Sequence, residues 1–303
     1  MGTYYRLSGK ISPLYFAVII PAVIAVAAVS VIYSIAIYYV PFYYLNFLGT
    51  LGVGWFVGKS AALTTKIGKS RNAVFWALTL ILLFAVFTYV HLAAYAAVVF
   101  RETAVIDPFL LVYFPLSPDV LFGFAYFEIV SQGVWAISSN SDTMHGLPLI
   151  AIWVVEHCIV AFTAFKTAYA SLFVRPFFEE AGKWGVKTVL NYAWDYLAED
   201  SQRNSARMAL ESGNINYFSQ LPIVSTNQPS YCVLSYYANP NQEIPEKVYL
   251  SLQNVLITET RKGRKNTKET FVVKNLETPY SFVLQIEELR RNNQSAEIAD
   301  ETN

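Results

Sequence analysis

The chain has 303 residues, of which 54% are hydrophobic and 16% aromatic, and its 22 Lys and Arg are balanced by 22 Asp and Glu. Only 15% are charged, far below the roughly 25% usual in soluble domains; this excludes an ordinary soluble protein, and the zero net charge gives no nucleic-acid footprint. Two cysteines, Cys158 and Cys232, cannot build a disulfide framework or close a four-ligand zinc site alone.

Charge is unevenly spread. Before Val174 there are 8 Lys or Arg and 6 Asp or Glu; from Val174 onward there are 14 and 16. A membrane domain over 1–173 and a cytoplasmic α+β domain over 174–303 are expected.

A crossing helix needs about 20 apolar residues. The first candidate, 14–40, carries no charge and ends at Pro41, and Pro21 is tolerable in a membrane helix. Arg6, Lys10 and the small-x-small run Ala25-Val26-Ala27 resemble a signal peptide. The apolar run continues past that point, so an uncleaved span is expected. The second, 43–64, contains Gly54 and Gly58 as a G-x-x-x-G pair, read as a packing face toward the first helix or a self-association face. Lys59 in the same span is expected to snorkel to the near interface. The third span is 73–100 and the fourth 147–165.

Ionisable residues inside spans mark functional hypotheses. His91 lies in the third span and Glu156, His157 and Cys158 in the fourth. At about 1.5 Å per residue, His91 and Glu156 fall at one level, and a hydrogen bond between them is expected. It reads either as a polar clamp between helices or as a proton- or ion-handling site.

Between the last two spans, "DPFLLVYFPLSPDVLFGFAYFEIVSQGVWAI" is too apolar for an ordinary loop. A helix starting at Ser117 or Asp119 and running to about Trp135 is expected to lie on the outer leaflet; a re-entrant hairpin is the alternative. Arg6, Lys10, Lys66, Lys69, Arg71, Lys166 and Arg175 flank one side, and Arg101, Glu102, Asp107, Asp119, Glu128 and Asp142 the other. The positive-inside rule then puts both termini in the cytoplasm, at a plasma (inner) membrane.

In the second domain, Thr188 to Ser212 reads as a helix ended by Gly213. Strands are expected at Tyr231–Tyr237, Val248–Thr258 and Glu269–Val273, then a helix from Thr278-Pro279 through Leu289 and disorder after about 292. The basic turn Arg261–Lys265 reads as a solvated hairpin tip, with anionic lipid the alternative. Glu179 and Glu180 read as a helix N-terminal charge bias. The three histidines, His91, His145 and His157, all precede Val174. No phosphate loop, G-x-S-x-G or H-E-x-x-H occurs, so neither an enzyme nor a cofactor is expected.

The glycine-rich second span, "KIGKSRN", "SPDVLFGFAYFEIVSQGVWAI", "IWVVEH" and "PFFEEAGKW" together resemble an uncharacterised family of bacterial four-span membrane proteins. In that family a zinc-ribbon-like cytoplasmic segment, P-F-C-x-x-C-G-x-W with a later second cysteine pair, follows the last span. Here Phe178 and Ala181 stand at the first pair, and Ala238 and Asn241 at a plausible second. The resemblance implies a ribbon that has lost its metal, held by an apolar core with Phe178 packed inward. The resulting expectation is a four-helix membrane bundle acting as an anchor or assembly subunit, its partners the bilayer and a protein or a second copy. The alternative is a small-solute or proton-coupled transporter using Glu156 and His91.

Overall fold

The computed structural model describes residues 3–39, 43–100, 107–133, 144–172, 175–259 and 265–301. Pro41, Arg101, Glu102, Trp135, Asp142 and the Arg261–Arg264 part of the basic turn lie outside them. Two compact units form: Leu7–Val174, and Met1–Arg6 together with Arg175–Asn303. The first six residues thus group with the C-terminal unit.

In the first unit, four long helices are α1 (Leu14–Tyr39), α2 (Tyr43–Ile67), α3 (Ala73–Val99) and α7 (Leu147–Leu172). Among the described residues, three helices, α1, α3 and Leu147–Ala170 of α7, are long and apolar enough to cross a membrane, and a fourth if a bent helix pair between α3 and α7 counts as one crossing. α2 has 25 residues, but Gly49, Gly52, Gly54, Gly58, Asn46 and Thr50 lower its hydropathy.

The tightest packing joins α2 to α7 and α1 to α3. Tyr15 Oη donates to the Phe75 carbonyl at 3.0 Å near the start of both α1 and α3, and Ser34 meets His91 farther along, so these two run parallel. The segments preceding them are also tied: Gly9 N–H donates to Arg71 O at 3.0 Å, and Arg71 N–H to Lys10 O at 2.9 Å. α2 therefore returns between them, and its last turn reaches Tyr15 beside Gly68.

α2 and α7 also run parallel to each other. A Cβ built on Gly54 would sit 2.8 Å from Thr163 Cβ and 2.9 Å from Val160 O, and one on Gly58 would overlap Ala164 O. The G-x-x-x-G pair faces α7, not the first helix. Val160, Ala164 and Ala168, all buried, present small groups at the matching four-residue spacing, so the two backbones approach where any side chain would hold them apart.

The helix expected from Ser117 or Asp119 is present over Pro118–Gln132, and a separate short helix precedes it. α4 (Pro108–Leu116) is followed by α5 (Pro118–Val120), a π-helical turn (Leu121–Ala125) and α6 (Tyr126–Gln132), with a 93° bend between Pro108–Leu116 and Pro118–Gln132. Pro118 has no N–H and holds Ser117 away from helical ψ, which breaks the run there. Tyr89 Oη donates to Pro115 O at 2.8 Å and Tyr126 Oη to Leu92 O at 3.1 Å, pinning both arms to α3. Phe109, Val112, Leu116, Phe122, Phe124 and Phe127 are exposed.

The second unit is built on one antiparallel sheet. A hairpin, β1 (Phe177–Phe178) and β2 (Lys183–Trp184), precedes β3 (Val186–Trp194); α8 (Asp200–Ser212), α9 (Asn216–Ser219), β4 (Ile223–Val224), β5 (Ser230–Ala238), β6 (Lys247–Glu259), β7 (Lys265–Pro279) and α10 (Tyr280–Glu301) follow. The sheet order is β4-β3-β5-β6-β7.

The helix expected from Thr188 holds only from Asp200. "VKTVLNYAW" is rich in β-branched and aromatic residues, and Leu190, Tyr192 and Trp194 are buried at two-residue spacing, the strand period. These three join Leu234, Leu250 and Leu252 in a core with Leu210, Phe218, Phe282 and Ile286 from the helices. The expected strands in β5, β6 and β7 are present, β7 being longer. α10 continues to Glu301, past 292 where disorder was expected; Ala296, Glu297 and Ala299 favour helix.

Residues 3–5 extend the sheet. Tyr4 pairs antiparallel with Leu276, Tyr5 N–H donates to Asn275 O at 2.9 Å, and Glu277 N–H to Thr3 O at 2.8 Å. Asn275 adopts φ 54, a left-handed conformation that Asn tolerates better than most residues. Ser251 Oγ accepts its N–H at 2.9 Å.

Candidate functional site

The membrane-type helices share a polar layer, and each contributes. Polar groups at i and i+4 lie on one helix face: Ser30 and Ser34 on α1, Asn46 and Thr50 on α2, all buried. Their hydroxyls return to the backbone, Ser34 Oγ to Ser30 O at 2.8 Å and Thr50 Oγ1 to Asn46 O at 2.8 Å. Tyr33 Oη lies 2.7 Å from Thr50 Oγ1 and joins α1 to α2.

His91 is buried on α3. Its Nδ1 is 2.9 Å from Ser34 Oγ, its ring stacks on Phe87 at 5.6 Å and 1°, and Tyr33 is 5.2 Å away. The expected His91–Glu156 hydrogen bond is not among those of the described residues. His91 clamps α3 to α1 instead, because Ser34 occupies Nδ1.

His157, rather than Glu156, is the α7 residue that turns toward His91, with ring centroids 5.8 Å apart. Its Nδ1 donates to Trp153 O at 2.8 Å. That bond places a proton on Nδ1, and Nε2 is buried without a hydrogen-bond partner. Glu156, one position before it and about 100° around the helix, is half-buried. Cys158 is exposed. Among the described residues no group of three or more His, Cys, Asp and Glu could hold a metal ion.

Ser34, Tyr33, Asn46 and Thr50 were not singled out from sequence. The signal that would have found them is the polar pair four residues apart inside an apolar helix.

In the second unit, Phe178 and Ala181 lie in and just after β1, Ala238 ends β5, and Asn241 sits in the turn beyond it. Phe178 is 6% exposed and packs with Tyr237, Tyr249, Tyr5 and Ala181. Its ring is 5.4 Å from Tyr249. Lys183 Nζ donates to Asn241 Oδ1 at 2.9 Å, joining the two turns. Glu179 and Glu180 occupy the hairpin turn and not a helix N-terminus.

Burial, followed by the Glu277 carboxylate, pushes Tyr249 up to about 12. Burial alone pushes the Cys232 thiol up to about 12, which makes it an inert core group and not a nucleophile. Compared with protein-family models, curated proteins and solved structures, the chain matches none.

Proposed function

We propose that the protein is a non-catalytic multi-pass membrane subunit that holds its sheet unit at the cytoplasmic face and presents it to a protein partner. The observation that carries this reading is the pairing of Tyr4 with Leu276. The chain ahead of α1 is built into the same folded unit as the chain after α7, so the sheet is tethered to the membrane helices through two covalent links. An even number of crossings follows, and α1, α2, α3 and α7 are assigned to them. The ties of Gly9 and Lys10 to Arg71 support α2 as a crossing, and the basic flanks of the helices support a cytoplasmic sheet. The bent α4–α6 pair, with its exposed Phe side chains, is assigned to the outer leaflet boundary.

Cysteines placed singly at Asn214 and Asn241, both exposed, test the topology on intact cells. An impermeant thiol reagent should label neither until the membrane is opened; labelling of either on sealed cells would overturn the reading. Affinity capture with the full chain should recover a protein that is lost when exposed sheet-unit residues are substituted.

A second reading, a proton-coupled carrier, is favoured by the unpartnered Nε2 of His157 beside Glu156. Proteoliposomes containing the Glu156→Gln and His157→Gln variants separate the two: a carrier loses its flux, whereas a subunit shows none to lose.

A further inference from the structure

Among the described residues, α2 presents a face that no other element covers. Leu48, Trp55 and Leu63 are 61%, 52% and 51% exposed, and Gly52, Lys59 and Lys66 are exposed with them. The spacing of three and four residues puts all six on one side, away from the Gly54 and Gly58 side that meets α7. A Cβ added at Gly52 would meet nothing within 4 Å, so the stripe has an open notch where another backbone can approach.

Lys59 is the anomaly on this face. α2 runs Tyr43–Ile67, so Trp55 is its middle residue and Lys59 lies about 6 Å from the midpoint. Helical side chains lean toward the N-terminus, which in α2 is the end far from the Lys66 flank. Lys59 Nζ accordingly lies over the Trp55 ring, 5.9 Å from its centroid, and points deeper rather than snorkelling to the nearer surface. No carboxylate pairs with it among the described residues. An ammonium at the centre of a lipid-facing helix is costly, and a ring face offsets only part of that cost.

We propose that the Leu48–Gly52–Trp55–Lys59–Leu63 face of α2 docks a membrane-spanning helix of a different protein, whose Asp or Glu pairs with Lys59 near the bilayer centre. The inference rests on the assignment of α2 as a crossing in an assembly subunit. Charge complementarity selects the occupant. A lipid phosphate lies at the surface, about 15 Å from the midplane. A second copy offers only Glu156 among its long helices, and that residue is half-buried within its own bundle.

The test uses the full chain in phosphatidylcholine nanodiscs and two synthetic poly-Leu spanning peptides, one with a central Glu and one with Gln. By fluorescence transfer, the Glu peptide should associate about tenfold more tightly with the wild type. That preference should vanish in Lys59→Leu and survive in Lys59→Arg, while Gly52→Leu weakens both peptides. Equal association of the two peptides, or a Glu preference that persists in Lys59→Leu, overturns the proposal.

In native membranes, a photo-crosslinking residue at Leu48 should capture an apolar helix carrying Asp or Glu, and the capture should be lost in Lys59→Leu. Adducts with lipid alone, or with a second copy, also overturn it. A peptide-blind α2 face would leave the assembly reading intact, whereas failure of the topology test would remove both.

Discussion

The Tyr4 hydroxyl donates a 2.5 Å hydrogen bond to Glu211 Oε1 on α8, fastening the residues ahead of the first helix to a helix of the sheet unit. Tyr5 adds an edge-on contact with Tyr249 at 5.2 Å. Deleting Thr3–Tyr5 removes the Tyr4–Glu211 bond, two backbone hydrogen bonds and this ring contact, and should cost the sheet unit on the order of 1–3 kcal/mol. Hydrogen exchange reads it directly: the Glu277 amide should lose its protection while amides in the middle of β5 keep theirs.

The alkaline limit of the sheet unit follows from groups whose folded pKa is raised. Burial lifts Cys232 from 9.0 to about 12, and burial lifts Tyr249 from 10.0 to about 12. The folded state holds these protons more tightly than the unfolded state, so stability is intact below about pH 9 and falls as pH rises toward about 12. Denaturant midpoints measured across that window should decline, and Cys232→Val should flatten the lower part of the slope. A midpoint constant to pH 12 would contradict the burial of both groups.

Glycines on two sides of α2 make opposite predictions. Gly54→Leu would drive a side chain into Thr163 and Val160 and should lower the unfolding free energy of the purified protein by about 1–3 kcal/mol. Gly52→Leu faces open space and should stay within about 0.5 kcal/mol of wild type. Equal damage from both would mean that α2 does not pack on α7 through its glycines.

Ser34→Ala removes the hydrogen-bond partner of His91 Nδ1 without changing the size of the residue much. The α1–α3 pair should loosen by about 1–2 kcal/mol, whereas Glu156→Gln should leave it unchanged. Disulfide trapping between cysteines at Tyr15 and Phe75 reports the pair; a loss in Glu156→Gln as large as in Ser34→Ala would restore the His91–Glu156 contact expected from sequence.

Phe178, Ala181, Ala238 and Asn241 test the ribbon resemblance. With cysteine at all four positions, the chain should take up cobalt with thiolate charge-transfer absorption. No absorption would leave the resemblance as chance, with the Phe178–Tyr249 packing and the Lys183–Asn241 bond as unrelated features of two turns.

The long helices were legible because lipid-type spans announce themselves by length and apolarity, β6 because Val248, Leu250 and Leu252 alternate with Tyr249, Ser251 and Gln253, and β5 because Tyr231–Tyr237 is rich in aromatic and β-branched residues. β3 was hidden in "TVLNYAW", whose apolar residues fit the helical period as well as the strand period until Tyr192 and Trp194 are seen buried together. The helix start at Ser117-Pro118 was legible from the proline, whereas the separate helix before it was not, although Pro108 marks its first turn. Site pairing was the least legible. Depth along a helix follows from counting, which put His91 and Glu156 at one level. Rotation about the axis follows from neighbours, and the glycine contact of α2 with α7 turns His157 inward. The three-to-five segment was invisible because a strand that short carries no periodicity.

The order of synthesis and the order of packing disagree in this molecule. α1 leaves the ribosome beside α2, yet its main partner is α3, and α2 must wait for α7. Thr3–Tyr5 precede every helix, and the edge they join, Asn275–Glu277, is translated after all the other strands. Neither closure can form from a nascent stretch alone, so both halves consolidate late, and a stalled translation product would expose its glycine stripe and an unfinished sheet edge to quality-control proteases.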